Sequence, residues 1–293
     1  MYGSSVTQMP IKRDPVPMIQ SYAREHKKEF QFWCILDDII PRVRANAILP
    51  EGIPADYIKR SALVAMWNSS RHYAQPISKI CSKRGIPKFY IEQGMLPQKD
   101  NFFIDPLGFY GDSILSKDLS WVNAQDVDAM FSARDELQQK YEINPQGYVL
   151  VPLQIENDSS VLYHSHYNDM SELLEYVEYM YPNKTIIAKA HPLGDQYLFE
   201  YLPKRFKKIT FNAKDDLFEL AAKADLVVGI TSTCLFECAI LGVPVVALGD
   251  HPLRMNKKED FDKVLAGALA LNISRHDDDA LRPILERFGI KPL

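Results

Sequence analysis

Four short segments of this chain carry residue types that can do chemistry together. They are Glu92 in Glu92-Gln93-Gly94, Asp158 in Glu156-Asn157-Asp158-Ser159, His191 in Ala190-His191-Pro192, and the hydroxyl cluster Thr231-Ser232-Thr233. Two carboxylates can divide a nucleophile's work from that of an acid/base. A hydroxyl turn that opens a helix can hold a phosphate, because a helix N-terminus presents free N–H groups and a partial positive charge. An imidazole can donate to the same phosphate. Each segment also has a plainer reading. A serine in such a turn is an ordinary N-cap, and a lone histidine is commonly a structural hydrogen bonder. Glu237, on the helix after Ser232, reads equally as a ribose ligand and as a surface or packing residue.

What joins the four segments is their position behind apolar runs. Lys88–Gly94, Tyr148–Gln154, Thr185–His191 and Asp225–Ser232 all read as strands, and open α/β sheets bind ligands beyond the carboxyl ends of their strands. The second half is regular. After Tyr148–Gln154, Asp169 precedes a helix with Glu172 three residues on, a capping-box pattern; Leu173, Leu174, Val177 and Met180 share its apolar face. A helix starts at Asp215 or Asp216, with Leu217, Leu220 and Ala221 as its stripe. Cys234–Gly242 is a helix closed by glycine, and Val243–Gly249 is another strand. Strand–helix alternation at this spacing predicts a parallel sheet with right-handed crossovers. The first half reads as helix over Met18–Phe30, strand over Phe30–Ile39 and Ala62–Asn68, helix over Ser69–Gly85, and strand over Lys88–Gly94. Leu119–Gly147 is polar and helical, ending in Asn144-Pro145-Gln146-Gly147. The expectation is an α/β protein with domains over 1–145 and 146–256 and a ligand cleft between them. The segment 257–293 is expected to be helical and to pack back on the first domain.

Composition narrows the function classes. The chain has 293 residues, 46% hydrophobic and 25% charged, values of a soluble globular protein. Lys+Arg is 34 and Asp+Glu is 38, so the net charge is −4, which argues against a nucleic-acid partner needing a basic face. Cys34, Cys81, Cys234 and Cys238 form no CxxC pair, so a structural zinc site is not expected. They read as buried small apolar residues in a reducing cytoplasmic setting. The start has no signal-peptide core, and no run of about 18 apolar residues exists. His276–Asp279 looks metal-like but reads as a solvated loop or helix start. Lys204-Arg205-Phe206-Lys207-Lys208 reads as a solvated turn, with peripheral contact at the inner membrane as the alternative.

KAHPLGD (Lys189–Asp195) and ADLVVGITSTCLFECAILGVPVVALG (Ala224–Gly249) resemble the donor half of GT-B glycosyltransferases. YIEQGMLPQKDNFFIDPLGFYGDSIL (Tyr90–Leu115) and YVLVPLQIENDSSVLYHSHYNDMSELLEYV (Tyr148–Val177) resemble the bacterial capsule-polysaccharide biosynthesis family, which includes retaining β-Kdo transferases. Kdo is an acidic 2-ulosonic sugar supplied as CMP-Kdo. The resemblance implies two Rossmann-like domains, and transfer of Kdo to a glycan or lipid-linked glycan acceptor in capsule or lipopolysaccharide O-antigen assembly. By motif position Asp158 resembles the nucleophile and Glu92 the acid/base. His191 and Ser232 resemble the phosphate-binding pair, with Thr231, Thr233, Lys189 and Glu237 around the donor. No Asp-x-Asp follows a strand, so neither a metal nor another cofactor is expected. The first 60 residues carry no recognisable motif. Competing readings are transfer of another CMP-ulosonic acid, of the sialic-acid type, or of glycerol phosphate from CDP-glycerol, and a non-catalytic GT-B-like sugar-binding module.

Overall fold

The computed structural model describes residues 63–70, 74–192, 194, 196–277 and 279–291, without the side chains of 196–199. The helix and strand expected before Ala62, and Cys34 with them, lie outside the described residues. The chain divides into two units, 1–109 with 270–293 and 110–269. The division falls at Phe109/Tyr110, before the expected boundary, because the helix over Ala124–Lys140 packs on the helix over Cys234–Leu241. Arg134 Nε donates to the Ile240 carbonyl at 3.1 Å, and Gln138 Nε2 to that of Leu241 at 2.8 Å.

In the first unit, β1 (Val64–Trp67), α1 (Ala74–Arg84), β2 (Lys88–Gln93) and β3 (Asn101–Asp105) come first among the described residues. The second unit begins with α2 (Ile114–Lys117) and α3 (Ala124–Lys140). It continues through β4 (Tyr148–Pro152), α4 (Ser159–His164), α5 (Met170–Met180) and β5 (Thr185–Lys189). Then follow α6 (Gln196–Arg205), β6 (Ile209–Asn212), α7 (Leu217–Ala222) and β7 (Ala224–Gly229). It ends with α8 (Cys234–Leu241), β8 (Val245–Ala247), α9 (Pro252–Met255) and α10 (Phe261–Ala270). The chain returns to the first unit as β9 (Asn272–Ser274) and α11 (Leu281–Arg287). The tail expected to be wholly helical thus contains a strand.

The second unit is a parallel five-stranded sheet in the order β6-β5-β4-β7-β8. Its core joins Val149, Val151, Val228 and Ile230 of the strands and their ends to Leu173, Leu174 and Val177 of α5. Met180, expected on that face, is exposed, because the helix ends as it turns away. Asp169 caps α5 by accepting from the Glu172 N–H at 2.9 Å, while Glu172 reaches back to the N–H of Asn168 rather than of Asp169. Asp216 caps α7, and α8 stops where Gly242 takes up φ +102°, a left-handed conformation that glycine adopts without steric cost. β4 lies between β5 and β7, so successive strands run outward from it in opposite directions and the strand order reverses beside it.

The first unit's described sheet, β1-β2-β3-β9, is mixed. β1 and β2 are parallel, whereas β3 runs antiparallel to both β2 and β9. Among the described residues, a short loop and a 3₁₀ turn over Gln98–Asp100, rather than a crossover helix, follow β2.

Candidate functional site

The second unit gathers the candidate residues at the carboxyl edge of its sheet. Asp158 follows β4, His191 follows β5, and Thr231–Thr233 follow β7, so the reversal between β4 and β7 is bordered by the carboxylate and the hydroxyl turn. Asp158 is the N-cap of α4, its Oδ1 accepting from the Ser160 N–H at 2.8 Å. Burial lowers the His191 pKa below its ordinary 6.5; the Asp158 carboxylate pulls it up and Lys189 pushes it down. The imidazole therefore stands within electrostatic reach of Asp158, and an arriving anion would favour its protonated form.

The turn after β7 divides its labour. Thr231 is 2% exposed and is held by Gln154, at the end of β4: the Thr231 N–H donates to Gln154 Oε1 at 3.0 Å, and Gln154 Nε2 donates to Thr231 Oγ1 at 3.2 Å. Thr231 is a fastening point. Ser232 and Thr233 are partly exposed, and Thr233, the N-cap of α8, makes no side-chain cap bond. Ser232 Oγ accepts from the Cys234 N–H at 3.4 Å. Lys189 is buried, with Nζ at 3.3 Å from the carbonyl oxygens of both Ala190 and Ala213, so its charge stiffens the β5 and β6 ends. Glu237 lies one turn into α8 and raises the pKa of the Cys234 and Cys238 thiols, although burial is the main cause and takes Cys234 up to about 12.

A second cluster adjoins this edge. His164, closing α4, is buried with its ring 4.6 Å from that of Tyr110 and its Nδ1 4.0 Å from Asp250 Oδ2. Desolvation lowers its pKa against the pull of Asp112 and Asp250. Sequence reading gives it no role, because the partners of His164 come from two segments distant from it, Tyr110–Asp112 and Asp250.

Glu92 belongs to the first unit, at the carboxyl end of β2. Its Oε2 accepts from Asn68 Nδ2 at 2.8 Å, and its Oε1 from the Gln93 N–H at 3.0 Å. Asn68 is buried with φ +62°, a conformation asparagine tolerates better than most residues. The loop behind Glu92 is tied to the chain's tail. Asn272 Oδ1 accepts from the Met95 N–H and its Nδ2 donates to the Met95 carbonyl, both at 2.8 Å. Arg275 lies over the Phe102 ring, donates to the Asn101 carbonyl at 2.8 Å and also bonds Gln93. Sequence reading missed Asn68, Asn272 and Arg275 and took Gln154 only as part of the Tyr148–Val177 resemblance, with no role of its own; these are polar residues whose partners are distant in the chain.

His276 lies 3.7 Å from Asp100, a surface pair. Among the described residues no group of three or more His, Cys, Asp or Glu is placed to hold a metal ion. No helix among them is long and apolar enough to cross a membrane. Phe206 of the Lys204–Lys208 run is packed in the core, and Arg205 pairs with Glu175, which removes the aromatic from that surface.

The family model of the capsule polysaccharide biosynthesis proteins matches residues 121–254, the stretch holding Asp158, His191 and the Thr231–Thr233 turn. Protein FixF of Sinorhizobium fredii (strain NBRC 101917 / NGR234) is 26% identical over 269 residues, which cover 84% of this chain and 64% of FixF. The chain therefore spans less than two thirds of that curated relative. Two solved structures from Thermosulfurimonas dismutans share the fold. The KpsC β-Kdo 2,7 transferase matches with a TM-score of 0.55 at 23% identity, over 78% of this chain and 84% of that one. The KpsC β-Kdo 2,4 transferase matches with 0.56 at 17% identity, over 83% and 91%. The fold of the chain is α/β and GT-B-like.

Proposed function

We propose that the chain is a retaining glycosyltransferase that moves Kdo from CMP-Kdo to a saccharide acceptor in capsule or O-antigen assembly. The observation that carries this reading is the strand reversal in a capsule-family segment, with a carboxylate after β4 and a hydroxyl turn opening α8 after β7. That both KpsC neighbours are β-Kdo transferases supports it.

In this reading the CMP phosphate rests against the start of α8, with Ser232, Thr233 and His191 donating to it. Phosphate is a good leaving group and needs charge stabilisation more than a proton. Asp158 attacks C2 of Kdo, the C2–O bond to phosphate breaks, and CMP leaves with that electron pair. The acceptor hydroxyl then attacks C2, its proton passes to Glu92, and the Asp158 ester is released. No metal or other cofactor enters these steps. The acceptor is a glycan, free or lipid-linked, and the setting is the cytoplasmic side of the inner membrane.

Intact-protein mass spectrometry after incubation with CMP-Kdo tests the reading. Glu92→Gln should accumulate an adduct of one Kdo, because its breakdown lacks a base. Asp158→Asn should bind CMP, form no adduct and lose at least about 10³-fold in transfer. An Asp158→Asn enzyme with near wild-type transfer would remove Asp158 as nucleophile. A wild-type protein that neither binds CMP nor consumes CMP-Kdo would remove the donor.

A further inference from the structure

We infer that Gln154 is a positioning residue, whose side-chain amide fixes the Asp158 helix and the phosphate turn at one separation. The inference rests on the donor reading above, and extends it to a residue that contacts neither substrate nor reacting atom.

Gln154 is 7% exposed and stands at the end of β4, between the two elements it joins. Its orientation is fixed by its partners. The Thr231 N–H can only donate, so the atom facing it at 3.0 Å is the amide oxygen. The amide nitrogen then faces two hydroxyls, Thr231 Oγ1 at 3.2 Å and Ser160 Oγ at 3.4 Å. On one side the contact ends at the residue next to Ser232. On the other it ends at Ser160, whose backbone N–H holds Asp158 Oδ1 at 2.8 Å. One side chain thus connects the nucleophile's own hydrogen-bond donor to the turn that holds the leaving group.

The chemistry gives this connection its purpose. Displacement at C2 needs the attacking oxygen, the carbon and the departing oxygen in line, and a misplacement of about 1 Å costs about 10²-fold in rate. Asp158 and Ser232 sit on different crossovers, each following its own strand. Hydrogen bonds between β4 and β7 set the strand spacing but not the loops beyond them. Gln154 bonds across those loops, and burial makes its loss costly, since two hydroxyls and an N–H would be left to find other partners.

Gln154→Met retains length and apolar bulk and removes all three bonds. Gln154→Glu retains an acceptor for the Thr231 N–H and offers oxygens to both hydroxyls, which can turn to donate. Steady-state transfer from CMP-Kdo should show kcat about 10²-fold lower in Gln154→Met, with KM for the donor within about threefold, because each half keeps its own binding groups. Gln154→Glu should recover at least about tenfold of that loss. Should Gln154→Met not fold, Thr231→Val, which keeps shape and the backbone bond, should show the same kcat-selective loss at about tenfold. Wild-type kcat in Gln154→Met, or in Thr231→Val where Met does not fold, overturns the inference. So does a loss that tracks a lowered melting temperature and is not rescued by Glu. CMP calorimetry on wild type separates the two levels: absent binding there removes the donor reading and the inference with it, whereas binding with unaltered variants removes the inference alone.

Discussion

Asp158 uses one carboxylate oxygen to cap α4 and, in the proposed reaction, the other to attack. The two roles are compatible: the cap holds the carboxylate in one rotamer and leaves its second oxygen out of the cap bond. His191 and Ser232 carry the corresponding expectation for the leaving group. His191→Ala and Ser232→Ala should each weaken CMP binding about tenfold by calorimetry, and wild-type affinity in both would place the phosphate elsewhere. His251 supports a prediction of a different kind. It caps α9 through Nδ1, is 1% exposed against the Phe236 ring, and burial alone pushes its pKa from 6.5 down to about 3. Between those values the unfolded chain holds a proton that the folded chain does not, so stability is full above the unfolded value and falls as pH drops. Wild type should lose about 2 kcal/mol more than His251→Asn between about pH 7.5 and pH 5 in urea titrations, because asparagine caps without titrating there. Equal pH slopes would show that the imidazole is not the titrating group.

The element that presents Glu92 depends on close backbone approach. A Cβ on Gly94 would stand 2.5 Å from Asn272 Oδ1 and 2.6 Å from Asn101 atoms, backbone included. Gly94→Ala should therefore destabilise the protein by about 1–3 kcal/mol and reduce transfer, while leaving CMP calorimetry unchanged; an unchanged denaturation midpoint would show that the loop relaxes freely. The strands of the second sheet were readable because both faces are covered, so Tyr148–Pro152, Thr185–Lys189 and Ala224–Gly229 are apolar runs bounded by caps. β6 and β9 were not. Ile209–Asn212 is half polar, and Asn272–Ser274 is too short for alternation to register. The same limit hid part of the site: Asp158, His191 and Ser232 announce themselves by following strands, whereas Gln154 and Arg275 gain meaning only from partners that folding brings to them.

At the scale of the molecule the two units differ in how the chain composes them. The second is one uninterrupted stretch, 110–269, whereas the first needs 270–293 as well. Removing residues 270–293 should lower hydrogen-exchange protection of β3, which loses β9 and keeps only β2, and leave β4, β5 and β7 protected; loss of protection in all of them would show that the second sheet is not self-supporting. CMP binding should survive that truncation and transfer should not, since Glu92's loop loses Asn272 and Arg275. This order of assembly also sets a timetable on the ribosome. Synthesis delivers the whole 110–269 stretch before Asn272 or Arg275 exists, so the donor-side sheet can close while the nascent chain is still attached. The loop behind Glu92 is fastened only when Asn272 and Arg275 have emerged as well. A nascent chain halted before β9 should thus hold nucleotide yet lack the secured loop of the proposed base, and acquire turnover only once Asn272 and Arg275 follow.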